Sequence, residues 1–244
     1  MGGFVIEIGG ARLASAGKAQ KRPLELLQAV IALGGEGVEE ARIIDALWPD
    51  ADGDLAMQSL RTTISRLRRL LGMERALVTG GGRLRLDRRY VWTDIWALEH
   101  YLTRGLEAAA CGDDLKPEVA ADLQKVLDHY QGEFLQDCGY PWAMPMRERI
   151  RTRFVNAILD IGERLERSGE ALWAVKYYRK GLELDSLVEG LYQGLIACYG
   201  ELGRGAEALR IYRQCKWLFA QELGIQPSPK TVSLLERYIH GPES

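Results

Sequence analysis

Residues 54–72, DLAMQSLRTTISRLRRLLG, decide the fold of the first part of this chain. Met57, Leu60, Ile64, Leu67 and Leu71 recur every three or four residues, which puts them along one side of an α-helix. Asp54 is expected to cap that helix and Gly72 to stop it. With Ile64 at the centre of the buried side and about 100° of rotation per residue, the opposite side carries Gln58, Thr62, Ser65, Arg66 and Arg69. Arg61 and Arg68 flank it.

Downstream of this helix, Leu77-Val78-Thr79 and Arg83-Leu84-Arg85-Leu86 surround Gly80-Gly81-Gly82. The strict alternation in the second run predicts a hairpin with one solvated, basic face. Upstream, Val38, Ile43, Ile44 and Leu47 predict a shorter second helix, ended by Trp48-Pro49 because the residue before a proline resists helical backbone. A first helix is expected from Pro23, at the first helical position, through Leu24, Leu27, Val30 and Ile31, until Gly34-Gly35. Phe4–Ile8 and Arg12-Leu13 around Gly9-Gly10 predict an opening hairpin. Strand, three helices and a hairpin, in that order, make a winged helix.

From Asp94 onward the pattern is helical nearly to the end, interrupted around Cys111–Pro117 and between Pro141 and Pro145. Gly169 and Gly203, Ala174 and Ala208, and Tyr178 and Tyr212 are each 34 residues apart, the period of tetratricopeptide helix pairs. In such pairs a small residue admits close helix approach and an aromatic residue fills the gap to the next repeat. The expectation is therefore a mainly α protein of two domains: a winged helix over residues 1–93 and an all-α, tetratricopeptide-like repeat domain over 94–244.

The net charge of −2 carries no global sign of a nucleic-acid partner, so any such sign must be local. It is found between residues 61 and 89, where Arg61, Arg66, Arg68, Arg69, Arg75, Arg83, Arg85, Arg88 and Arg89 face only Glu74 and Asp87. Arginine bridges guanine edges with two bonds, glutamine does so with adenine, and serine and threonine bond either. Gln58, Arg61, Thr62, Ser65, Arg66 and Arg69 are thus candidate base readers. Arg68, with Lys18, Lys21 and Arg22 ahead of the first helix, is a candidate for phosphate contacts, and Arg83 and Arg85 for contacts from the wing.

With these residues in view, a family resemblance emerges. "RPLELLQAVIALGG", "ALWPDADGD" and "SLRTTISRLRRLLG", within residues 21–71, resemble the OmpR/PhoB-type winged helix in the SARP-like branch of bacterial activators. Residues 96–239, with "YQGEFLQDCGYPWAMPMRERIRTRF" and the 34-residue repeats, resemble the bacterial transcriptional activator domain that follows it there. The resemblance implies binding to directly repeated promoter DNA as a head-to-tail homodimer and activation through contact with RNA polymerase. It also implies that the polymerase-facing loop corresponds to Trp48–Asp54, whose Asp50, Asp52 and Asp54 would attract a basic surface. Similar domain pairs end large regulators that carry a MalT-like nucleotide-binding module, which has no counterpart here. The start Met1-Gly2-Gly3 is compatible with an expression remnant, which would make the chain a piece of a longer protein.

Other classes find less support. Gly17-Lys18 has Arg12 where a phosphate-binding loop needs glycine and Ala19 where it needs serine or threonine. Scattered Cys111, Cys138, Cys198 and Cys215 and isolated histidines give neither a disulfide framework nor a metal site, so no cofactor is expected and a reducing cytoplasm fits. His100, His129 and Cys138 form no legible nucleophile–base pair, and an enzyme is not expected. No apolar run approaches the roughly 18 residues that span a bilayer. Trp92, Trp96, Trp142, Trp173 and Trp217 are expected in the cores. The competing reading is a repeat scaffold with an acidic, concave protein-binding face, whose winged helix does not read DNA.

Overall fold

The structure, a computed structural model, describes residues 2–13, 20–110 and 117–240. It divides into two compact units, one made of Met1–Ala97 with Gln131–Ile150 and the other of Leu98–Tyr130 with Arg151–Ser244.

The first unit is a winged helix. Its elements are β1 (Glu7–Ile8), β2 (Ala11–Arg12), α1 (Lys21–Ala32), β3 (Val38–Glu39), α2 (Glu40–Leu47), α3 (Gly53–Leu71), β4 (Leu77–Gly80) and β5 (Arg83–Leu86). Leu26, Val30, Ile43, Leu60, Leu67 and Leu84 meet in its core, each with no exposed surface. Burying one such side chain stabilises a fold by about 1.5–3 kcal/mol, so the apolar stripe of α3 anchors that helix and points its other side outward.

Three expectations need correction. Val38 opens no helix: it is in β3 and pairs with Leu84, making β5 the central strand in the order β3-β5-β4. Two residues are too few to show alternation, so no periodicity marked them as a strand. The cap of α3 is Asp52, whose carboxylate accepts from the Asp54 amide at 3.2 Å, and the helix begins at Gly53. Pro23 is the third residue of α1, still within the first turn, where its missing N–H costs nothing.

Gln131–Ile150 also packs into this unit, although its sequence resembles the activator domain. The turn Pro141–Ala143 lies against α1, with Trp142 packed on the core and stacked on Tyr140 at a centroid distance of 5.5 Å. Arg147 holds the preceding loop, donating to the carbonyls of Phe134 at 2.9 Å, Leu135 at 2.7 Å and Cys138 at 3.2 Å.

The remaining helices are α4 (Asp94–Ala110), α5 (Pro117–His129), α6 (Met144–Arg167), α7 (Ala171–Leu184), α8 (Glu189–Glu201), α9 (Gly205–Glu222) and α10 (Pro229–His240). In the second unit α8 packs against α7, α9 and α10, and the 34-residue period is visible in burial. Ala174 and Ala208 are fully buried at matching places in α7 and α9, and Tyr177 and Ile211 nearby are also buried. Tyr178 is buried so tightly between α6 and α8 that a methyl group at Gly162 or Gly194 would overlap its ring. Its hydroxyl donates to Glu166, whose carboxyl pKa is raised, chiefly by burial. Tyr212, its counterpart, is only half-buried.

The tryptophans divide. Trp96 and Trp142 pack on the first core, but Trp92 is 70% exposed and Trp217 64% exposed, against the expectation that all five are internal. Burial pushes the Cys198 and Cys215 thiols up to about 12, well above reactive range. Among the described residues, no helix is long and apolar enough to cross a membrane.

Candidate nucleic-acid interface

Helix α3 presents two chemically opposite sides. Ala56, Leu60, Thr63, Ile64 and Leu67 are buried, while Gln58, Arg61, Thr62, Ser65, Arg66 and Arg69 are all exposed. Thr63 satisfies its hydroxyl on the carbonyl of Ser59 at 2.7 Å, so the one polar residue on the inner side needs no outside partner. Among the described residues, no hydrogen bond or ion pair engages the side chains of Arg61, Arg66 or Arg69. Asp54 in the first turn and Arg68 and Arg69 in the last complement the helix dipole.

Arg68 belongs to the inner edge. Its Nε and Nη2 donate to the carbonyl of Leu77 at 3.1 and 2.9 Å, and Nη2 also reaches the hydroxyl of Thr79 at 3.2 Å. The guanidinium therefore ties the wing to α3 and holds the two at a set separation.

In the wing, the register pairs Gly80 with Arg83 and Val78 with Arg85 across the turn Gly81-Gly82. Both turn residues have positive φ, 58° and 71°, the conformation of a tight hairpin turn that suits glycine. Leu84 and Leu86 point into the core, and Arg83 and Arg85 point out. Arg83 lies opposite Glu39 of β3 and pairs with it at 3.0 Å. Arg88 pairs with Glu36 at 2.5 Å, and Arg89 bonds to Asp87 at 2.6 Å. The hydrogen bonds from Arg89 hold the Asp87 carboxyl at about 2, well below its ordinary value.

The start of α1 looks different from its sequence, because Lys21 and Arg22, expected ahead of the helix, are its first two residues. Lys18 lies outside the described residues. Lys21 and Arg22 both turn to the buried carboxylate of Glu25, at 3.8 and 3.0 Å, and Arg22 also donates to the carbonyl of Leu47 at 3.4 Å. Tyr140 donates its hydroxyl to the same carboxylate at 2.6 Å, and this bond, followed by burial, raises the tyrosine pKa. The three- and four-residue spacings of Arg22 and Lys21 to Glu25 were available in the sequence, whereas Tyr140, 115 positions away, was not.

In the loop between α2 and α3, Trp48 packs on the core while Asp50 is exposed, as is Asp54 in the first turn of α3. Asp52 is also exposed but serves as the helix cap.

The arrangement is a rigid helix offering amide, hydroxyl and guanidinium groups beside a protruding basic ribbon. Such groups bond base edges and phosphates.

A family model of the bacterial transcriptional activator domain matches residues 93–238. The chain is 29% identical over 238 residues to the regulatory protein AfsR of Streptomyces griseus, covering 96% of this chain and 24% of that protein. It is 27% identical over 211 residues to the transcriptional regulatory protein EmbR of Mycobacterium tuberculosis, covering 81% of this chain and 52% of that protein. A solved structure of Mycobacterium tuberculosis EmbR in complex with a low affinity phosphopeptide superposes with a TM-score of 0.76 at 23% identity, over 98% of this chain and 63% of that one. That likeness shows a shared fold. The chain spans about a quarter of the length of the AfsR relative and about half that of EmbR. Because the family match extends over more than half of its residues, the chain belongs to the bacterial transcriptional activator domain family, in the SARP-like branch of bacterial regulators.

Proposed function

We propose that this chain regulates transcription, as an activator, by reading double-stranded promoter DNA with α3 in the major groove and the β4–β5 wing beside it. The observation that carries this reading is the outward side of α3, where Gln58, Arg61, Thr62, Ser65, Arg66 and Arg69 are exposed and the three arginines are unpaired among the described residues. A solvated helix face seldom collects so many side chains able to read bases beside a second basic element. The similarity to AfsR and EmbR, both named as regulatory proteins, supports it.

In this reading residues 1–93 make the DNA contacts, Arg83 and Arg85 meet the backbone from the wing, and Arg68 keeps wing and helix in register. Lys21 and Arg22 add charge near the entry to α1, reduced by Glu25. Trp48, Asp50, Asp52 and Asp54 form the surface offered to RNA polymerase, and two copies bind neighbouring half-sites. The repeat domain serves oligomerisation, signal relay or partner contacts.

The test is selection of bound sequences from random duplexes, repeated with Gln58, Thr62 and Arg66 each replaced by alanine. Enrichment of one motif, with changed preference at one base position per substitution, supports base reading by α3. Absence of specific duplex binding at low salt would instead favour a protein-binding scaffold.

A further inference from the structure

We propose that the outward face of α9 docks an acidic, helix-forming peptide segment that carries one large apolar side chain. This rests on the reading of the repeat domain as a partner-contacting surface and names the chemistry of that partner.

The inner side of α9 is accounted for by Ala208, Ile211, Cys215 and Phe219, all buried. On the opposite side Ala206, Arg210, Arg213, Gln214, Trp217 and Ala220 are exposed, and they recur at three- and four-residue steps along one face. Trp217 leaves 64% of its surface in water, although burying an indole on a partner is strongly favourable. Arg210 and Arg213 stand two turns and one turn ahead of it, so the three side chains span about 10 Å of helix axis. The one carboxylate at the edge of this face, Glu207, lies a turn ahead of Arg210 but is held by Arg204 at 2.7 Å, and the alanines near the two ends of the face let another helix approach closely.

The preceding repeat is an internal comparison. Thirty-four residues earlier, Lys176 and Arg179 stand where α9 has Arg210 and Arg213, and they too are exposed. However, Glu183 stands where α9 has Trp217, and it pairs with Lys180 at 3.0 Å. The α7 face is thus partly neutralised and lacks the apolar anchor, while the α9 face keeps both cations and indole. This chemistry fits a partner that brings carboxylates and an apolar residue together. A DNA backbone would satisfy the arginines yet leave the indole without an apolar cover.

The experiment uses the full chain and three labelled, alanine-based helical peptides of about 15 residues. One carries glutamates around a central phenylalanine, one has glutamine at every glutamate, and one has alanine for the phenylalanine. The acidic phenylalanine peptide is expected to bind at least about tenfold more tightly than either control, with affinity falling as salt rises. Trp217→Ala should weaken it about tenfold without moving the melting midpoint, and Arg210→Glu with Arg213→Glu should abolish the acidic preference. Equal affinities for the three peptides, no binding of the acidic one, or indifference to Trp217→Ala overturns the proposal. So does a mixed-sequence duplex whose affinity drops on Trp217→Ala, which would assign the face to nucleic acid. Retention of sequence selection by the Trp217→Ala chain would show that the DNA reading survives such a failure, and peptide binding without sequence selection would show the reverse.

Discussion

The outward side of α3 and the entry to α1 are both basic in sequence, yet the fold treats their cations differently. Arg61, Arg66 and Arg69 project from a side whose opposite face is locked in the core, and among the described residues no acidic side chain pairs with them. Lys21 and Arg22 are drawn to a buried carboxylate that a distant tyrosine also holds. The same division runs through the arginine-rich stretch, where Arg68, Arg83, Arg88 and Arg89 each have an internal partner. A cation's availability to an outside anion is therefore set by what lies across from it, and along the outward side of α3 the basic charge remains available.

The contrast can be broken from either side. The largest effect is expected from Arg66→Ala, which should weaken specific duplex binding by about 1–3 kcal/mol and relax base preference, measured by titration against selected and scrambled duplexes. Equal losses on both duplexes would show that α3 does not read bases. Next, Arg68→Ala should lower the unfolding free energy by about 1–2 kcal/mol, because a buried carbonyl loses a charged donor. Denaturant titration checks this, and an unchanged midpoint would mean that the wing holds its place without it.

Glu25→Gln should cost about 1 kcal/mol of stability while keeping an acceptor for Tyr140. It would also free Lys21 and Arg22, so affinity for random duplexes should rise and its logarithmic salt dependence steepen by one to two counterions, about what two added phosphate contacts imply. Unaltered salt dependence would place those cations away from DNA. Lys21→Ala, which removes only an exposed partner at 3.8 Å, should change stability by less than about 0.5 kcal/mol.

The pair Asp87 and Arg89 adds a pH test. The aspartate pKa is lowered to about 2 in the folded chain, so its contribution is fully present above its ordinary value near 4 and is lost as pH falls toward 2. Melting midpoints of the parent and of Asp87→Asn should therefore differ at pH 6 and converge near pH 2. A constant difference across that range would contradict the bond.

Much of this organisation was legible in the residues themselves. Long periodic segments announced α3 and the repeat helices because an amphipathic helix must write its buried side into the sequence every three or four residues. The wing was legible through Arg83-Leu84-Arg85-Leu86, since alternation follows from the pleat of a strand. The cap at Asp52 was not, because aspartates stand at 50, 52 and 54 and each could serve; backbone geometry chose among them.

By itself, then, the sequence determined which segments are helical, which side of each is apolar, and where basic and hydroxyl groups gather. Those features depend on near neighbours, and near neighbours are written side by side. Only the tertiary structure decided that Val38 pairs with Leu84, that Tyr140 reaches Glu25, that Gln131–Ile150 packs with the winged helix, and that Trp217 stands in water. Each of these depends on which distant side chain, or none, arrives in the same place, and residue spacing along a chain carries no record of that.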